Sequence, residues 1–455
     1  MHPGGSNEDG VSEDGLNGGD PKTDGARDGH RGGEADGGGR ALSTGVAWNV
    51  ASLAVLAVAG IALNVLIGRV YGPAALGVFN QVMGAYVLFS MAAAGGINYS
   101  LLRAVAAAPR DPAHVASAVV GALPPTIVLA AVVSAIFYLS RGLVAELVDS
   151  PGVAVGMEAA APGLFCFALN KQLLAIVNGL SRMRAFAIYQ ALRYLLILMG
   201  FGLVYRLGWP SDSLSFVWTF AEGILLVVLA VEVGLTVAWR RARGVLAWTR
   251  EHFGYGVRSA LSAMLLELNA KVDIWMLGVW LDDGSVGVYS LAANLAEGFY
   301  QLVVVLQNNF NPILAAAFAR GAAGEVETFV ARSRRWVVPA FAAAALAAIA
   351  LYPWTLPLLA EAPEFAASWT PFAILAGAIG LLAAWLAFGN LLLMASRPGW
   401  NTILMSATVA ANVVANAIFI PRLGIAGAAV GTAIAFAVFA LLLVLLARRE
   451  AGVRL

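Results

Sequence analysis

Apolar and polar positions along this chain fall into long blocks rather than short alternations. After the first forty residues come twelve apolar blocks, each able to cross a hydrocarbon core of about 30 Å as a helix. They are predicted near residues 44–67, 78–101, 114–139, 157–179, 185–206, 214–238, 254–280, 287–311, 336–353, 371–394, 400–420 and 426–447. Blocks of this length are far longer than membrane strands, and a helix satisfies its own backbone in lipid. The expected fold class is therefore an all-α polytopic membrane protein. Prolines 124, 125, 162 and 339 fall inside spans, where kinks are expected and neighbouring helices must satisfy the freed carbonyls. The stretch from Pro353 to Pro371, which carries Glu361 and Glu364, is expected to be an external loop or half-helix.

Composition agrees with the pattern. The chain is 60% hydrophobic and 12% charged, with a mean hydropathy of +0.79, far from a soluble domain. A net charge of +1 carries no nucleic-acid signature, because the charges are segregated by position. Cys166 is the single cysteine, so no intrachain disulfide can form. Residues 1–40 are rich in glycine and acids and contain no aromatic residue; a disordered acidic tail is expected. They lack the apolar core of a cleavable signal, so the first span is expected to act as its own targeting signal. With the tail in the cytoplasm, sixteen arginines fall in cytoplasmic loops and the C-terminus. Only four (Arg69, Arg141, Arg206 and Arg422) fall on the other side. The positive-inside rule then places both termini in the cytoplasm, for a multi-pass protein of the cytoplasmic membrane.

The loops repeat. Gly68 and Gly77, followed by Val78-Phe79, recur 210 residues later as Gly278 and Gly287, followed by Val288-Tyr289. Ser181-Arg182 recurs as Ser396-Arg397, and Leu207-Gly208 as Leu423-Gly424, at offsets of 215 and 216. Three matches in order imply two six-helix halves, 41–238 and 254–447. An even number of spans in each makes the repeats parallel. Residues 239–253, with Arg240, Arg241 and Arg243, are expected to form a basic amphipathic linker on the inner leaflet, and 448–455 a basic tail.

No Walker A motif, nucleophile elbow or paired-cysteine motif occurs, and the four histidines show no metal-ligand spacing, so neither an enzyme nor a bound cofactor is expected. The candidate chemistry lies in charges inside spans four to eight: Lys171, Arg193, Arg258 and Lys271 against Glu158, Glu222, Glu232, Glu267, Asp273 and Glu297. Each costs about 2.5–3.5 kcal/mol at mid-bilayer, so such residues face partners or water rather than lipid. Two readings stand side by side. The four cations converge on a central cleft and hold a phosphate or diphosphate, or they neutralise Glu222, Glu232 and Glu267 as interhelical pairs. Lys271 and Glu267, four apart, share a helix face. Glu267, Asp273 and Glu297 are candidates for ion coupling, by Na+ or H+, or for structural pairing. Asn64, Asn98, Asn294, Gln301, Gln307, Asn308 and Asn309 suit either a wet cavity accepting sugar hydroxyls or interhelical hydrogen bonds.

Asp273-Ile274-Trp275-Met276-Leu277-Gly278, followed by Val286-Gly287-Val288-Tyr289, resembles the seventh-to-eighth helix signature of polysaccharide-biosynthesis flippases. These lipid-linked oligosaccharide flippases belong to the multidrug/oligosaccharidyl-lipid/polysaccharide exporter superfamily. Tyr71-Gly72-Pro73 and Leu423-Gly424-Ile425-Ala426-Gly427 resemble other loops of that family. The resemblance implies two lobes in a V that alternate access. It also implies a cavity lined by the first, second, seventh and eighth helices, and a lipid-linked glycan as cargo. Membrane lipids are implied partners, with glycosyltransferases or a polymerase nearby. A cation-coupled multidrug exporter of the same fold is the alternative, and a non-transporting scaffold a third.

Overall fold

The computed structural model describes residues 32–359 and 361–455; side chains of residues 32–54, 57 and 257–270 lie outside that description. Contacts divide the chain into Met1–Ala47 and Trp48–Leu455, and the architecture below is that of the second unit. In chain order the helices of the first half are α1 (Gly32–Ala94), α2 (Ile97–Ala107), α3 (Pro112–Leu139), α4 (Arg141–Leu147), α5 (Pro151–Gly179), α6 (Met183–Arg206) and α7 (Phe216–Thr236). The second half holds α8 (Val245–Trp280), α9 (Asp283–Ala319), α10 (Ala323–Leu359), α11 (Trp369–Leu386), α12 (Leu391–Met394), α13 (Pro398–Leu423) and α14 (Ile425–Glu450). Among the described residues, ten helical stretches are long and apolar enough to cross a membrane. The first of them is two passes, since α1 breaks at Gly72. Adding α8, 36 residues long but not among those ten, gives the order of the twelve expected passes.

The break in α1 follows from Tyr71-Gly72-Pro73. A proline disfavours helical backbone in the residue before it, and Gly72 adopts φ 83°, which only glycine tolerates freely. Elsewhere prolines leave helices unbroken because neighbours supply the missing partners. Pro125 cannot donate to the Gly121 carbonyl, which accepts from Thr249 Oγ1 of α8 at 2.9 Å. Near Pro162 the Thr219 hydroxyl inserts into α5: it accepts from Gly163 N at 3.0 Å and donates to the Ala159 carbonyl. A Cβ on Gly163 would lie 2.7 Å from Thr219 N, so only glycine lets α7 approach.

The repeats are visible in the backbone. Ser181 and Ser396 both adopt the left-handed conformation, φ 59° and 58°, rare for a residue with a side chain. Both close the same turn: Arg182 N donates to the Val177 carbonyl and Arg397 N to the Leu392 carbonyl. The matched glycines Gly77 and Gly287 meet each other's helices. A Cβ on Gly77 would lie 1.8 Å from the Asp283 carbonyl, and one on Gly287 would lie 1.8 Å from the Pro73 carbonyl. The two halves thus touch backbone to backbone at the start of equivalent helices.

Three stretches differ from expectation. Residues 32–40, expected within a disordered tail, are the start of α1, and the remainder of that tail lies outside the described residues. Residues 245–253 are not a separate linker helix but the first turns of α8, clamped to the first half. Arg243 N donates to Ser117 Oγ at 2.8 Å, and buried His252 bridges Ser100 Oγ and the Ala118 carbonyl, so polar contacts hold this segment against α2 and α3. At Pro353, where a loop or a half-helix was expected, no loop begins. Helix α10 continues to Leu359, and a 3-10 turn, Pro363–Ser368, leads directly into α11. Tyr352 Oη and Ser368 Oγ, 2.8 Å apart, and the stacking of Tyr352 on Phe372 tie this extension down.

Candidate functional site

Helices α8, α9, α11, α13 and α14 enclose a cavity of about 410 Å³ within the second half. Lys271 and Asp273 enter from α8. From α9 come Tyr289, Asn294, Glu297, Tyr300 and Gln301, spaced by turns of the helix so that one face looks inward. Thr408 and Asn412 line it from α13, and Thr432 and Phe436 from α14. Asp273 is 8% exposed; its carboxylate accepts from Ile274 N at 2.9 Å and from the hydroxyl of fully buried Tyr289. Lys271 Nζ stands 3.5 Å from Glu297 Oε2. The rings of Tyr300 and Phe436 stack at 5.8 Å. Among the described residues the lining carries one ammonium and two carboxylates, together with amides, hydroxyls and an aromatic wall.

Asn294 connects this cavity to the first half. The Asn64 side-chain oxygen accepts from Asn80 Nδ2 at 3.0 Å and from Asn294 Nδ2 at 2.9 Å, joining the two segments of α1 to α9. Asn98, on α2, is half-buried and does not line the cavity.

Lys171 and Arg193 are also absent from the lining. They meet instead at the Phe167 ring, with the Lys171 ammonium 5.2 Å and the Arg193 guanidinium 4.9 Å from its centroid. Arg193 Nε lies 2.7 Å from Glu222 Oε1, and Asn170 Nδ2 donates to the other Glu222 oxygen at 2.8 Å. Of the two readings of Arg193, this is the interhelical pair. Glu232 pairs with Arg182, and Glu158 with Arg141 at 3.5 Å. Lys271 and Glu297 stand together, as do Asp273 and Tyr289, but of the three cations with described side chains Lys271 alone lines this cavity. The Arg258 and Glu267 side chains lie outside the described residues, so the expected Lys271–Glu267 contact does too; Lys271 pairs with Glu297 across helices.

The sequence profile described as "Polysaccharide biosynthesis protein" matches residues 42–319, most of the chain. The chain belongs to this family. No curated protein matches it in sequence. Among solved structures, a multidrug resistance MATE family transporter of the MOP superfamily, inward-facing, superposes with a TM-score of 0.72. It is 15% identical, with 87% of this chain and 94% of that one covered. The lipid II flippase MurJ in an inward closed conformation gives 0.70 at 12% identity, covering 88% and 87%. A MOP superfamily transporter from Pyrococcus furiosus gives 0.61 at 15%, covering 90% and 95%. At these identities the likeness establishes a shared fold. This member of the polysaccharide biosynthesis protein family is thus a multi-pass membrane protein with a MOP-type transporter fold.

Several polar groups of this family member escape a charge-led reading. Asn80 joins the Asn64–Asn294 contact, Asn170 holds Glu222, and Asn412 and Asn416 hydrogen-bond at 3.1 Å on α13. The last pair had a signal, two amides four apart in the apolar second half of a span, which puts them on one face.

Proposed function

We propose that this protein is a flippase. It moves a lipid-linked oligosaccharide, joined to a polyprenyl or dolichyl carrier through phosphate or diphosphate, from the inner to the outer leaflet of the cytoplasmic membrane. Both termini are cytoplasmic in this reading, and the glycosyltransferases or polymerase that make and use the cargo are natural partners. The observation that carries it is the polar cavity with Lys271 on its wall, set inside a polysaccharide-biosynthesis family fold. The lipid tail stays in hydrocarbon while only the polar head crosses, which avoids most of the cost of bare charge in lipid. An anionic head leaving an inside-negative cell moves with the potential, worth about 2.3 kcal/mol per charge per 100 mV. Lys271→Ala and Arg258→Ala are expected to abolish surface glycan at normal protein level; unchanged glycan in both would sink the proposal.

One observation favours a second reading. Among the described lining residues two carboxylates face one ammonium, a negative balance suited to a cation, as in cation-coupled multidrug export. Dye efflux driven by a proton or sodium gradient, and lost in Asp273→Asn, would support it; efflux indifferent to both gradients would remove it.

A further inference from the structure

We propose that Glu297 is a placeholder whose carboxylate holds Lys271 until the phosphate of the cargo displaces it. This rests on the reading of the cavity as the site where a phosphate-linked head is received.

The asymmetry of the pair is the argument. The Lys271 side chain is 14% exposed and that of Glu297 52% exposed. Their 3.5 Å separation exceeds the 2.7–2.9 Å usual for a charge-assisted hydrogen bond. A largely buried ammonium is strongly disfavoured without a counter-charge, whereas a half-exposed carboxylate can turn to solvent at little cost. Glu297 is therefore the partner that gives way. Asp273, the other carboxylate among the described lining residues, cannot do the same: its oxygens are engaged by Ile274 N and the Tyr289 hydroxyl, and it is 8% exposed. Helices α11, α13 and α14 bring no charged group to the lining.

The exchange has two consequences. A phosphate or diphosphate bears more charge than a carboxylate and outcompetes it for the ammonium, while a neutral glycan or uncharged lipid has nothing with which to evict Glu297. Cargo without phosphate is thereby rejected with no steric filter. When the cargo leaves, Glu297 returns, so Lys271 is never bare in the membrane interior and the empty carrier can reset.

The test titrates the purified full-length protein with inorganic diphosphate by calorimetry. Glu297→Gln is expected to bind about two- to five-fold tighter than the unaltered protein, the span a part-exposed ion pair commands. Glu297→Asp should bind as the unaltered protein does. Lys271→Gln should lose binding and Lys271→Arg, which keeps the charge, should retain it. The gain from Glu297→Gln should vanish in the Lys271→Gln background. Equal binding by Lys271→Gln and the unaltered protein would remove the reading of the cavity itself. Loss in Lys271→Gln with no gain in Glu297→Gln would overturn the placeholder alone. A gain that persists without Lys271 would also overturn it, since that is general charge repulsion rather than exchange.

Discussion

The Arg193–Glu222 pair offers a quantitative test of how this protein uses buried charge. The guanidinium lies 2.7 Å from a carboxylate that is 2% exposed, between α6 and α7, with Asn170 and the Phe167 face completing its surroundings. Removing one partner of such a pair leaves an uncompensated buried charge, at a cost of about 3–5 kcal/mol. Replacing both with apolar residues of similar volume is often neutral or stabilising. Arg193→Met and Glu222→Leu are therefore each expected to destabilise the first half, and the double variant to restore it. With about 2–4 °C per kcal/mol for a unit of roughly 200 residues, each single change lowers the melting midpoint by about 6–20 °C. The assay is size-exclusion chromatography of detergent-solubilised protein after heating, read alongside glycan export in cells. Single variants as stable as the unaltered protein would refute the reasoning about burial. A stable double variant that no longer exports would show that the guanidinium works on cargo, and that its pairing with Glu222 is a resting arrangement rather than its purpose.

Two further outcomes follow from other contacts. His252 is fully buried; its Nε2–H donates to the Ala118 carbonyl, so Nδ1 accepts from the Ser100 hydroxyl, and the neutral ring satisfies both neighbours. Burial pushes its pKa below the ordinary value, with the Ala118 hydrogen bond and then Glu251 opposing this and Arg103 assisting it. The unfolded chain then binds the extra proton first, so stability is present above about pH 6.5 and is lost as pH falls below it. A thermal melt series from pH 7.5 to 5.5 should show this slope in the unaltered protein and a shallower one in His252→Gln; parallel slopes would refute it. Gly287→Ala places a methyl 1.8 Å from the Pro73 carbonyl. The overpacking costs about 1–3 kcal/mol wherever the two helices stay in contact, so the population should shift toward a state in which they part. Labelling a cysteine introduced at Ser285, in a Cys166→Ser background, should quicken in that variant; unchanged labelling would mean the crossing is not a gate.

Much of this architecture was legible because it rests on local rules. Apolar block length gives helices in lipid, Gly72-Pro73 gives a break, and the Ser181/Ser396 match reappears as a shared left-handed turn, since backbone strain at equivalent positions constrains the sequence in each half. The site was legible only in part. Charge in a span says that a partner or water is near, but not which, because the choice depends on how helices rotate against each other. Lys271 illustrates the limit: spacing offered Glu267 on its own helix, whose side chain lies outside the described residues, but gave no sign of Glu297, twenty-six residues away on the next. The Pro353 extension of α10 was hidden for a related reason. Proline argues for a break when the chain is read locally, yet α10 passes through Pro353 and Pro357 and is tied down beyond them by Tyr352 and Ser368. Where a polar group is buried, its meaning is set by the neighbour across the helix interface. Placing Lys271 beside a half-exposed carboxylate and Arg193 beside a buried one therefore separates two cations that the sequence presented as equals: the partner of the first can turn to solvent, whereas that of the second is locked between helices.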